Sequence, residues 1–370
     1  MKKKKELAVI IIFFILISPV YTIWPLLGKY IDTENLENRN PATKPTVTFS
    51  NINDYPEQFE LYFNDHLPFR NQLIRLNSIL DYYVLKTSSS DRVILGKNGW
   101  LFYATPGDGD PISCYKGTNV LTEEQLEQIA DNMITTRDNL EAEGTEFVVF
   151  IAPNKERIYS EDMPDYYGDP AENYAALQIY NYLKDNTDIR IVYPYNEIKN
   201  AELELGETTL LYHKTDTHWN ELGAYIGTRE LLEELGIEMP SYDSSEIRIN
   251  ESEDVPGDLT KMLNMNTVIE PGKTFVPEGY VNHDCAVDFW DFSTEYRYHA
   301  NGADPRKICI IRDSFCNAMA DIVGSQFAES VMINKGVYNN DYVKKEHPDI
   351  FVLETVERYA PEMMTNFIYE

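Results

Sequence analysis

The chain has 370 residues, with 32 Lys and Arg against 61 Asp and Glu, for a formal net charge of −29 at neutral pH. Such a surface repels phosphate backbones, which excludes nucleic acid as a partner, and it disfavours a strongly anionic polymer as substrate. The four cysteines, Cys114, Cys285, Cys309 and Cys316, lack C-x-x-C spacing and are too few for a disulfide scaffold or a structural zinc site.

The chain opens with the basic cluster Lys2–Lys5 and the apolar run Leu7–Ile17, and carries no charge from Leu7 to Gly28. About 20 apolar residues cross a bilayer as one helix. A cleaved signal peptide is the competing reading, but no A-x-A-like site lies near Ser18–Thr22. Residues 1–28 therefore read as an uncleaved transmembrane signal-anchor, with the lysines cytoplasmic and the rest extracytoplasmic, at the cell membrane. The polar residues 29–51, with Pro41 and Pro45, read as a stalk, and 52–370 as one catalytic domain.

FNDHLPFR at Phe63–Arg70 leads into a helix through Leu85, with Pro68 in its first turn. Ile94–Tyr103 reads as a β-hairpin turning on Asn98-Gly99, which tolerate positive φ. A helix follows over Thr122–Glu143, opened by the capping-box pair Thr122 and Gln125 and stopped at Gly144. Strands are expected at Phe147–Ile151, Arg190–Val192, Ile308–Ile311 and Ile350–Leu353. Helices are expected at Ala171–Lys184 and Asn220–Leu235. This alternation points to a three-layer α/β sandwich around a mainly parallel sheet. Residues 239–305, rich in Asp, Asn, Gly and aromatics without helical period, read as a loop-rich insertion.

Two short blocks carry the chemistry. TDTHWN at Thr215–Asn220 offers Asp216 and His218 two positions apart, on one side of an extended backbone. IIRDSF at Ile310–Phe315 offers Ser314 where an apolar strand breaks toward a helix, at the sheet edge where ligands gather. A hydroxyl becomes a nucleophile only beside a base whose tautomer is fixed, so Ser314, His218 and Asp216 have the makings of an acyl-transfer triad. The blander readings are that Ser314 or Asp313 only caps the following helix, and that Asp216 caps the helix near Asn220. A metal site built from His213, Asp216 and His218 is a minor alternative. Lys155 and Arg157, after the strand Phe147–Ile151, are candidates to orient an acyl group or a sugar hydroxyl. Trp100 and Trp219 are candidates for sugar stacking, and Asn317, just past the serine, is a further substrate-binding candidate.

The blocks FNDHLPFR, GKNGWLFY, APNKERIYSEDMP, TDTHWNELGAY, IIRDSF and PDIFVLETVER, in this order from about Asn51 to Arg358, resemble the SGNH-hydrolase-like family of alginate O-acetyltransferases and the related DHHW-type proteins. The resemblance implies an SGNH-like fold with Asp216, His218 and Ser314 as its triad. It also implies extracytoplasmic transfer of acetyl groups to hydroxyls of an exported polysaccharide. The acetyl group would come from a membrane-bound O-acyltransferase partner, in keeping with the lack of a coenzyme A motif; no cofactor or metal is implied. The family's commoner G-D-S-F is R-D-S-F here, with Arg312 in the glycine's place. A polysaccharide acetyl esterase and a non-catalytic polysaccharide-binding protein are the alternatives, since the first uses the same groups and the second keeps only the fold.

Overall fold

The computed structural model describes Ile12 and residues 41–48, 51–280 and 283–369. The expected signal-anchor and most of the stalk lie outside these. Among the described residues no helix is long and apolar enough to cross a membrane.

Two compact units emerge, and their border differs from the single stretch expected over 52–370. The described residues up to Ser90 group with Lys261–Val268, while Asp91–Thr260 and Ile269–Glu370 form the second unit. The first contains the helices Tyr55–Asp65 and Arg70–Leu80, the latter extended by a wide turn over Asp81–Leu85. Pro68 stands before this second helix rather than in its first turn, because Phe69 takes a left-handed φ of 59° and interrupts the backbone between them.

Among the described residues the second unit holds eleven strands. They are β1 (Val93–Leu95), β2 (Leu101–Tyr103), β3 (Glu146–Ala152), β4 (Arg190–Val192), β5 (Arg248–Glu253), β6 (Lys273–Glu278), β7 (Asp284–Trp290), β8 (Glu295–Asn301), β9 (Asp304–Arg312), β10 (Phe327–Asn334) and β11 (Ile350–Val356). β1 and β2 form the expected hairpin, with Asn98 and Gly99 both at positive φ. The main sheet has the order β4-β3-β11-β9-β10-β8-β7. Its first five strands are parallel, and β8 and β7 join antiparallel. The sheet is therefore mixed, because the segment 239–305 is more than loops. It supplies the hairpin β5–β6, the helical turn Asp258–Met262 and the two strands that extend the main sheet beyond β10.

Alternation along β3 divides its side chains between two apolar layers. Phe147, Val149 and Ile151 meet Ile129 and Met133 of the helix Glu123–Ala142 and Ile179 and Leu183 of the helix Ala175–Asn186. Val148 and Phe150 face the other layer, with Ile198 of the helix Tyr195–Leu205 and Leu222 and Leu231 of the helix Glu221–Glu234. The Thr122–Gln125 capping box forms as the sequence reads. Gly223 and Gly227 let the helix Glu221–Glu234 sit close: a Cβ on Gly223 would lie 2.1 Å from the Leu211 carbonyl oxygen, and one on Gly227 would lie 2.9 Å from the Trp219 ring. All four cysteines are free thiols.

Beneath the sheet's carboxyl end, the buried Glu357 accepts hydrogen bonds from the Asn154 amide (3.0 Å) and the Tyr193 hydroxyl (2.9 Å). Burial pushes its carboxyl up from 4.5 to about 7, against the pull of Arg157. A raised acid pKa means the folded chain holds a proton that the unfolded chain releases, so stability falls as pH rises from about 4.5 through about 7. Urea-unfolding midpoints across that window should therefore decline less in Glu357→Gln than in the parent protein. An equal decline in both would show that Glu357 does not carry the effect.

Candidate active site

The loop between the isolated bridge partners Tyr212 and Trp219 carries the first block. Its Asp216 and His218 are not in extended backbone, as the spacing suggested; a bend places them together. One carboxylate oxygen, Asp216 Oδ1, accepts both the His218 backbone N–H (3.1 Å) and the His218 Nδ1–H (2.6 Å). The other, Oδ2, accepts the Asp258 N–H at 2.9 Å. His218 Nε2 then faces Ser314 Oγ at 2.7 Å. With Nδ1 donating to a carboxylate, Nε2 is the acceptor for the serine proton. The three groups expected from the sequence thus form one hydrogen-bonded chain, from residues 96 positions apart.

Capping duties fall on their neighbours. Asn220, not Asp216, caps the helix Glu221–Glu234, accepting from the Leu222 and Gly223 amides. Asp313, not Ser314, satisfies the turn after β9: one oxygen accepts the Phe315 N–H (2.8 Å) and the other the Val356 N–H (2.7 Å). The Asp313 N–H in turn donates to Glu354 Oε2 at 2.9 Å. Burial and the adjacent Asp313 charge push the Glu354 carboxyl up well above its ordinary range. Ser314 makes no cap bond and its hydroxyl remains for His218.

The electrostatics divide the neighbouring acids. Burial would raise the Asp216 carboxyl, but the hydrogen bond and charge of His218 and the Asp258 amide outweigh it and hold Asp216 far below the usual range. Asp258 moves the other way, raised by burial and by the Asp216 charge. Asp258 accepts from the Thr217 N–H (2.9 Å) and Oγ1–H (2.7 Å), closing the loop around Asp216. Asp216, His218 and Asp258 have potential ligand atoms within 4.8 Å of one another. Each of those atoms is already engaged in this hydrogen-bonded network. His213 is turned away from them, its Nδ1 on Asp254 at 2.7 Å.

Four of the expected substrate-binding residues are placed differently, and burial is the reason. Lys155 is 1% exposed; its ammonium donates to the main-chain carbonyls of Asp216 (2.5 Å) and His213 (3.2 Å) and lies over the Trp100 and Phe102 rings. Burial pulls its pKa from 10.5 to about 8, against the nearby acids. Arg157 stacks on Tyr174 at 3.6 Å and donates to the Ala171 carbonyl, away from the serine. Trp100 is packed on Tyr159 and offers no open face. Trp219, 1% exposed, donates its indole N–H to the Phe315 carbonyl at 2.9 Å, tying the two blocks together. Asn317 is half-buried, one turn past Ser314, and its Oδ1 accepts from the Tyr296 hydroxyl (2.7 Å) and Arg312 (3.1 Å).

Arg312 stands where the resemblance leads one to expect glycine, and its backbone lies in β9 with ordinary φ, so no left-handed torsion is demanded. Its side chain is fully buried, lying 3.9 Å over the Tyr296 ring and donating to the Phe292 carbonyl at 2.9 Å. Sequence reading missed Asp258 and Gly257. The Pro256-Gly257-Asp258 run was a turn signal, but nothing local showed that it would fold against residues 215–217.

Comparison with known proteins identifies the family. The model of the family described as SGNH hydrolase-like domain, acetyltransferase AlgX, matches residues 93–278, half of the chain, and the chain belongs to that family. The match contains Asp216, His218 and Asp258; Ser314 lies beyond it. A probable alginate O-acetylase AlgJ of Pseudomonas syringae pv. tomato is 27% identical over 214 residues, 56% of this chain and 50% of that protein. The Pseudomonas fluorescens protein of the same name is 25% identical over 218 residues, 57% and 51% of the two chains. The chain thus spans about half the length of these relatives. Bacillus cereus PatB1 superposes with a TM-score of 0.51 at 15% identity, over 75% of this chain and 98% of PatB1. A DHHW family protein from Eubacterium siraeum gives 0.50 at 16%, over 75% and 99%. Both structures share the fold.

The loop geometry generates a direct test. A Cβ on Gly257 would lie 2.2 Å from the Thr215 carbonyl oxygen and 2.6 Å from Asp216 Cβ, so Gly257→Ala must displace the acid of the triad. Misplacing a catalytic group by about 1 Å costs on the order of 100-fold. Labelling of Ser314 by a sulfonyl fluoride should slow by about that factor in Gly257→Ala, with the circular-dichroism spectrum unchanged. Lys155→Met, which releases the two carbonyls, should slow it similarly. Labelling at the parent rate in both folded variants would show that neither residue positions the triad.

Proposed function

We propose that this family member is a serine O-acetyltransferase that moves acetyl groups onto hydroxyls of an exported or cell-surface polysaccharide. The observation that carries the reading is the Asp216–His218–Ser314 chain, with contacts of 2.6 and 2.7 Å and side chains of Asp216 and His218 about one quarter exposed. The family match and the AlgJ relatives favour acetyl transfer to a polysaccharide over other acyl chemistry. Residues 1–28 would anchor the protein with its catalytic unit outside the cytoplasm. The acetyl group would reach it from a membrane-bound O-acyltransferase partner.

In the first half-reaction Ser314 Oγ attacks the acetyl carbonyl while His218 Nε2 takes the hydroxyl proton. The tetrahedral intermediate collapses as His218 returns that proton to the leaving group, and acetyl-Ser314 remains. In the second, a sugar hydroxyl gives its proton to His218 and attacks the acyl-serine, and His218 reprotonates Ser314 as it leaves. Asp216, ionised throughout, holds the ring's tautomer and stabilises its charged form. The oxyanion needs donors. The Phe315 N–H is committed to Asp313, which leaves the Ser314 amide as the donor at the turn. Asn317 adds its side-chain –NH2: Arg312 is a donor only, so the atom facing it is the oxygen, and the amide nitrogen is the end left over.

Intact-protein mass spectrometry after exposure to an activated acetyl ester tests this. The parent protein should gain one acetyl group, Ser314→Ala none, and a sugar acceptor should discharge it faster than water. Asp216→Asn should slow acylation by about 10⁴-fold, the cost of the wrong tautomer. Discharge by water alone would make the protein an esterase. Acetylation that persists in Ser314→Ala would remove the serine from the mechanism.

A further inference from the structure

At the carboxyl end of β9, Arg312 is the base of a ladder of flat groups that reaches the surface. Its guanidinium lies 3.9 Å over the buried Tyr296 ring, and Trp290 stacks on Tyr296 at 3.7 Å with 11° between the planes. Trp290 is nevertheless 48% exposed. The register explains this: Trp290 and Tyr296 are directly paired across β7 and β8, and β7 is the last strand of the sheet. Tyr296 fixes the indole plane, and the exposed indole is accessible beyond that edge. Phe292, 59% exposed, lies in the turn joining these strands, and its carbonyl is held by Arg312 (2.9 Å) and Asn334 (3.3 Å). The ladder also touches the nucleophile turn. The Tyr296 hydroxyl and Arg312 both donate to Asn317, whose own N–H donates to the Ser314 carbonyl at 3.2 Å.

A rigid, exposed indole three contacts from a nucleophilic serine has a specific chemistry. The C–H faces of a pyranose carry partial positive charge and pack on the negative face of an aromatic ring. Because Tyr296 holds the indole in place, little rotamer freedom is lost on binding. The charge of the rim selects among sugars. Asp288 and Asp291 flank Trp290, the two Arg312 Nη groups donate within the ladder and the guanidinium is fully buried, Arg297 is paired with Glu295 and Glu346, and Lys335 is paired with Glu362. A polyuronate would bring its carboxylates against Asp288 and Asp291, where like charges repel.

We infer that the Trp290 platform, with Phe292 beside it, is the acceptor subsite, and that its occupant is an uncharged glycan strand rather than a polyuronate. This rests on the transferase reading and adds to it the acceptor's class and its place. Arg312 is then a positioning residue, setting the platform and Asn317 in one register with Ser314.

Binding separates this inference from the catalytic reading. Isothermal titration of the full-length chain carrying Ser314→Ala, in detergent, would compare neutral hexose and N-acetylhexosamine oligosaccharides with uronate oligosaccharides. Neutral glycans should bind, and uronates at least about tenfold more weakly. Adding Trp290→Ala should weaken neutral-glycan binding about tenfold, and Trp290→Phe, which keeps a ring on Tyr296, should recover part of it. Thermal melts by circular dichroism identify any variant that fails to fold. Preference for uronates, no binding of either class, or unchanged affinity in folded Trp290→Ala would overturn the subsite. None of these results depends on acetylation, so failure of the serine to acylate would count against the catalytic reading alone.

Discussion

The bond from the Trp219 indole N–H to the Phe315 carbonyl, 2.9 Å long, is the contact on which the site's assembly depends. The residues on either side of it in sequence, His218 and Ser314, must meet within hydrogen-bond reach although they come from distant parts of the chain. Trp219 is buried between the helix Glu221–Glu234 and the turn after β9, and Gly227 leaves room for its ring. An apolar indole driven into the core brings its neighbour His218 with it. The single N–H at the ring's edge then sets the depth, because a buried donor that missed its acceptor would cost about 1–3 kcal/mol. The residue next to His218 is thus the device that aims it.

Buried charge serves the same end. Lys155, Asp258, Asp313 and Glu354 make most of their hydrogen bonds to main-chain groups rather than to one another. Groups of this kind are expensive to desolvate unless each finds a partner with good geometry. That requirement works as specificity: the loop 213–218 and the turn 312–316 have few conformations that satisfy every one of these groups. Lys155 holds the Asp216 carbonyl from one side and Asp258 holds the carboxylate from the other. The result is a loop with no regular secondary structure whose key acid is nonetheless fixed in orientation.

The buried Arg312 is accommodated in a coherent way. A fully buried guanidinium is costly unless neighbouring groups receive it. Tyr296 gives the guanidinium a ring face, and Phe292 and Asn317 give it acceptors. Two of these partners, Tyr296 and Phe292, come from the hairpin that makes the sheet mixed. The two antiparallel strands and the buried arginine are therefore one structural feature, built next to the serine.

Much of the site was legible in the sequence because it is written in local signals. The triad residues sit in short blocks whose chemistry is distinctive, and the strands β3, β4, β9 and β11 are apolar runs bounded by turns. Lys155, Arg157, Trp100 and Trp219 show where such reading stops: position after a strand or beside a motif does not say which way a side chain turns. Burial decides that, and burial is a property of everything that packs around a residue. The sequence by itself determined the α/β class, the chemical types at the site and the order in which the chain delivers them. The tertiary structure alone decided that Asn220 and Asp313 take the capping roles so that Asp216 and Ser314 are spared them, that Asp258 closes the loop, and that Trp290 stands open three contacts from Ser314. Those outcomes are settled by competition among donors and acceptors brought together from remote segments, and no local pattern records who wins.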